Sequence, residues 1–121
     1  MMKAKASSVL IAFAVGAFSA QAKVNDQCIL RWEQSLSAQM IGSQCRWMDT
    51  ATRDKLIASQ QASLACAVAD ATDAEKDDVT TLISESSRRI ADSLRNVPCE
   101  AKARQFYDGE VQKASAPTPT H

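Results

Sequence analysis

Histidine is almost missing from this sequence. The single one, His121, lies at the end of a small, proline-bearing stretch. Without a well-placed imidazole, Ser-His-Asp and Cys-His nucleophilic arrangements are not expected. Glycine and proline number three each, too few for collagen-like or low-complexity structure. Net charge is also absent, with 14 basic residues against 14 acidic ones. A nucleic-acid binder would carry a basic excess, so no nucleic-acid partner is expected. No apolar run reaches the roughly 20 residues that span a bilayer. The G-x-S-x-G, H-E-x-x-H, G-x-x-x-x-G-K-[ST] and C-x-x-C patterns are all lacking. These absences point to a non-enzyme without metal or cofactor.

What remains is a chain of 121 residues, 45% of them hydrophobic, enough for one small domain. Its start has the form of an export signal. Lys3 and Lys5 make a short positive region, Val9 to Phe18 is uncharged and apolar, and Ala20-Gln21-Ala22 is a small-x-small cleavage site. Residues 1–22 are therefore expected to be removed, leaving 12 basic and 14 acidic residues and no stable membrane anchor. The short positive region suggests a bacterial protein delivered to the periplasm.

All four cysteines, Cys28, Cys45, Cys66 and Cys99, lie beyond that site. An even number in a small exported domain implies two disulfides. Their wide spacing, with no histidine nearby, does not resemble a zinc site.

The remaining pattern is helical, with no period-two runs of β-branched residues. A first helix is expected from Asn25 or Asp26, with Ile29, Trp32, Leu36 and Met40 as its stripe and Gly42 just past its end. A second covers Asp49 to Ala69, with Ser43 as its earliest possible start, and buries Leu56, Ile57, Leu64 and Val68. The third opens on a capping box, Thr72-Asp73-Ala74-Glu75. It continues through Val79, Leu82, Ile83, Ile90 and Leu94, with Ser86 in a slot where an apolar residue is expected. A fourth, shorter helix is expected from Pro98 to Tyr107, stopped by Gly109. The fold class is thus all-α: a small antiparallel three- to four-helix bundle over residues 23–112, followed by a disordered tail at 113–121.

Helix lengths select the disulfide pairing. Cys28 and Cys45 stand at opposite ends of the first helix, about 13 residues and roughly 20 Å of rise apart. A disulfide needs Cα atoms about 4.4–6.8 Å apart. In an alternating bundle the second helix returns to Cys28 and the third descends to Cys45. The expected pairs are Cys28–Cys66 and Cys45–Cys99.

Few residues suggest chemistry. The carboxylates of Asp49 and Asp54, or of Asp70 and Asp73, are formally candidate acid–base pairs, but such spacing is common on solvated helix faces. The acidic run 70–78 lacks the glycine and distant glutamate of a calcium loop and reads as helix-start acids. Arg88, Arg89 and Arg95 gather towards the end of the third helix and, with Lys102 and Arg104, are a candidate basic surface. Trp47 and Tyr107 are candidate interface anchors, because aromatics are enriched at binding hot spots. The expected role is a small periplasmic protein-interaction module, of inhibitor, immunity or adaptor type, whose partner is another envelope or secreted protein such as a toxin or hydrolase. The alternatives are an envelope-stress holding chaperone and, behind it, a small-ligand carrier, an enzyme or a structural component of a secretion apparatus.

Overall fold

A computed structural model of the chain describes residues 24–115. The expected leader, 1–22, and residues 116–121 of the expected tail lie outside the described residues. Four helices follow in order: α1 (Asp26–Gln44), α2 (Thr50–Ala67), α3 (Asp73–Leu94) and α4 (Ala101–Ser115). The fold is a small all-α bundle, with no strand among the described residues. None of these helices is long and apolar enough to cross a membrane.

Local chemistry sets the helix starts. The Asn25 side chain accepts hydrogen bonds from the amides of Gln27 and Cys28, and Asp49 accepts one from Thr52 at 2.8 Å. At α3 the capping box is complete: the Glu75 amide donates to the Thr72 hydroxyl, and the Thr72 amide donates to the Glu75 carboxylate. The acids of 70–78 thus serve the start of a helix, where exposed N–H groups and the helix dipole favour negative charge.

The chain alternates in direction. The end of α2 returns beside the start of α1, where the Asn25 amide donates to the Ala67 carbonyl at 3.0 Å and Cys28 joins Cys66. The end of α3 rises to the end of α1, where Gln44 donates to the Val97 carbonyl and Cys45 joins Cys99. The two bridges hold Cα atoms 5.9 and 5.6 Å apart, in the pairing that the helix lengths predict. Disulfides of this kind fit an oxidising compartment.

Small side chains let α1 and α2 approach closely. Ser35, Ala38, Ser63 and Ala67 are all buried, and the Ser35 hydroxyl donates to the Leu56 carbonyl at 3.0 Å. Two apolar clusters result. One joins Cys28, Ile29, Ala67 and Val79 near the start of α1. The other joins Ala38, Leu56 and Tyr107 towards its end. α1 packs on all three other helices, and α4 lies on both α1 and α2. The backbone of α3 runs close to α1 alone.

Two glycine expectations are corrected. Gly42 lies inside α1 rather than past its end. The left-handed residue is Arg46, with φ of 59°. The amides of Arg46 and Trp47 donate back to the carbonyls of Ser43 and Gly42, satisfying the end of the helix without glycine. Gly42 is needed for space. A Cβ there would strike the Tyr107 ring, with Cζ only 3.1 Å away and Cε1 closer still. Nor does Gly109 stop the last helix, which begins at Ala101 and runs on to Ser115, so that Lys113–Ser115 are helical. The inward residues Ala103, Tyr107 and Glu110 carry the helix through the glycine. A Cβ at Gly109 would meet nothing within 4 Å. The two glycines should therefore respond oppositely. Gly42→Ala should cost about 1–3 kcal/mol by overpacking, whereas Gly109→Ala should gain roughly 0.5–1 kcal/mol by removing unfolded-state freedom. Chemical denaturation of the two variants measures both.

Candidate functional site

The helix crossings create two features with potential for recognition: an aromatic corner beside the Cys45–Cys99 bridge, and a groove over α1.

The corner is built by the turn after α1. Its left-handed step at Arg46 aims Trp47 at α4, where the Trp47 and Tyr107 rings lie 5.8 Å apart and tilted by 50°. The Arg104 guanidinium stands 5.0 Å from the Trp47 ring centroid and 5.8 Å from that of Tyr107, and is held by Asp108 at 3.0 Å. Such a cation over aromatic faces is attracted by their negative quadrupoles. Tyr107 is only 3% exposed, so a partner does not reach its ring. Gly42 makes that burial possible. Burial pushes the Tyr107 phenol above its ordinary value; Arg104 opposes the shift, and Asp49 and Asp108 add to it. The sequence expectation of Tyr107 as an interface anchor is thus corrected, and the exposed aromatic of this segment is its neighbour Phe106. Trp47 is half-buried and packs on the Leu56–Tyr107 cluster.

Arg88 and Arg89 on α3 and Arg95 at its C-cap are exposed, and two of the three are engaged in ion pairs. Arg89 pairs with Glu33 of α1 at 3.4 Å and donates to the Ser86 hydroxyl at 3.1 Å, while Arg95 pairs with Asp92 at 2.6 Å. Arg88 has no ion-pair partner among the described residues. Ser86 itself is fully buried. Its small side chain lets α3 settle on α1, and its hydroxyl is satisfied by Arg89, which explains a polar residue in an apolar slot.

Asp49 and Asp54, like Asp70 and Asp73, are exposed on helix-start surfaces. The Thr52 backbone and side-chain hydrogen bonds hold the Asp49 carboxyl below its ordinary value of 3.8; slight desolvation opposes them and Lys55 assists. Because the folded value is depressed, the carboxylate stabilises the fold above pH 3.8, and that contribution is lost as pH falls through the lowered value. Asp49→Asn retains a capping acceptor that does not titrate. Its melting temperature, followed by circular dichroism, should fall less than the native protein's on acidification across this range.

The groove was not legible as a site in the sequence. It lies between the start of α2 and the end of α3 and has a volume of about 520 Å³. This is within the range of about 300–1,000 Å³ common for binding clefts. Leu36 and Met40 of α1 form its floor. Met48 and Arg53 make one wall, Ala91 and Leu94 the other, with Gln39, Ser43 and Gln44 completing the lining. The groove exists because the backbones of α2 and α3 both run close to α1 but not to each other. The Gln39 carbonyl accepts from Gln60 at 2.6 Å, and the Gln44 amide nitrogen donates to Val97, so each side chain is engaged through one of its two polar atoms. Arg53 is the only charged lining residue, and its guanidinium has no hydrogen-bond or ion-pair partner among the described residues. Apolar floor, adaptable methionines and an unpaired guanidinium suit recognition of a partner more than bond-making chemistry.

No family model, no curated protein and no solved structure matches this chain.

Proposed function

We propose that the protein is a small exported interaction module of the inhibitor, immunity or adaptor type, acting in a bacterial periplasm on another envelope or secreted protein. The observation that supports this most is the roofless groove over α1, with apolar residues and an unpaired Arg53 displayed on a frame cross-linked near both ends of α1. A rigid frame lowers the ordering cost of association. The leader-like residues 1–22 and the two disulfides support the compartment. Affinity capture from periplasmic extract by the disulfide-bonded protein tests the reading. The expected result is one stoichiometric protein partner that survives moderate salt; no partner above background would overturn it.

A further inference from the structure

We infer that the groove between α2 and α3 is a docking channel for an amphipathic helix of another protein, one that carries a carboxylate beside its apolar seam. This inference rests on the interaction-module reading and names the chemistry of the partner.

The shape argues for a helix. The backbone of α3 approaches α1 alone, so the channel has a floor and two walls but no roof. A small ligand is normally enclosed over most of its surface. A helix instead lays one apolar stripe into such a channel and leaves its other side in water. Leu36 and Met40, four residues apart on α1, offer the i, i+4 row against which another helix packs. Met40 and Met48 can adapt to the incoming side chains, as flexible thioethers do.

Charge selects the partner. The lining contains one cation and no carboxylate. Beside the neutral polar groups of Gln39, Ser43 and Gln44, Arg53 is the one lining residue whose charge can specify polarity. A guanidinium matches the planar fork of a carboxylate. An acidic side chain flanking the apolar stripe satisfies Arg53 at the rim, whereas a basic one is repelled there.

The test uses a synthetic amphipathic peptide with leucines at i, i+3, i+4 and i+7 and a flanking glutamate, alongside versions with glutamine or lysine in its place. Calorimetry should show the glutamate peptide binding about tenfold tighter than the lysine peptide, as expected for a change from attraction to repulsion. Amide NMR shifts should centre on Met40, Met48 and Leu94. Arg53→Glu should invert the preference and Arg53→Lys should keep it. Ala91→Glu, which adds a carboxylate to the opposite wall, should weaken the glutamate peptide. Arg53 and Ala91 are exposed, so these variants should melt like the parent, as circular dichroism would verify. Equal affinity for all peptides, no binding, or shifts centred on Phe106 or on Leu30, another exposed apolar side chain, would overturn the inference. A captured natural partner indifferent to Arg53→Glu and Ala91→Glu would overturn the docking channel and leave the module reading standing. Peptide binding as expected without any captured partner would do the reverse.

Discussion

Reduction of the two disulfides is expected to unfold the protein or leave it as a loosened helical ensemble at room temperature. Cys28–Cys66 spans 38 residues and Cys45–Cys99 spans 54. Chain-entropy arguments assign loops of this size about 4 kcal/mol each, as an upper value. A domain this small has a total stability of about 5–15 kcal/mol, so losing both bridges removes a large part of it. The bridges are not equivalent in what they hold. Cys28–Cys66 is reinforced by the Asn25–Ala67 backbone bond and by a cluster drawn from α1, α2 and α3. Cys45–Cys99 ties the segment between α3 and α4 to the end of α1, where Gln44 adds one 3.3 Å hydrogen bond to Val97. The Cys45→Ser/Cys99→Ser variant should therefore keep its helices but free the end of α3, giving rapid amide exchange near Leu94 and Val97 and a widened groove. The Cys28→Ser/Cys66→Ser variant should retain more of its exchange protection at that end of the bundle. Exchange as slow in the first variant as in the parent would contradict this division.

Leu56→Ala should be among the most damaging single apolar substitutions. Leu56 is the largest fully buried apolar side chain, and it sits where α1, α2 and α4 meet, with Ala38 and Tyr107 as buried neighbours. Truncating such a leucine removes its transfer energy and leaves a cavity, costing about 2–5 kcal/mol. The neighbours have little freedom to fill the space. Tyr107 is wedged against Gly42, and the Leu56 carbonyl is held by Ser35. Urea unfolding with the disulfides intact would measure the cost. A loss below about 1 kcal/mol, as for a surface substitution, would show that the cluster is loosely packed.

Much of the bundle can be read directly from particular residues. Asn25, Asp49 and the Thr72–Glu75 box mark three helix starts because capping is a contact between residues two or three apart. The disulfide pairing is equally legible, since helix length alone places Cys28 and Cys45 at opposite ends of α1. The glycines depart from the sequence expectation for the complementary reason. Their backbone freedom is a local property, but Gly42 is small because Tyr107, far along the chain, occupies the space beside it. Likewise Gly109 stands inside α4 because inward packing on both of its sides outweighs its weak helix preference.

The candidate sites divide in the same way. Leu36 and Met40 belong to the apolar stripe visible in the sequence, and a stripe by itself reads as core. Whether its edge is covered depends on how far apart α2 and α3 stand on α1. Arg53 resembles any surface arginine until its guanidinium is seen beside Met48 and Leu94 with no ion-pair partner among the described residues. Arg89 and Arg95, which look available in the sequence, are paired with Glu33 and Asp92. Helix identity, caps and cross-links follow from short-range chemistry and chain length, so the amino-acid order determines them. The buried Tyr107, the paired arginines and the open groove follow from distances between helices, which only tertiary packing decides.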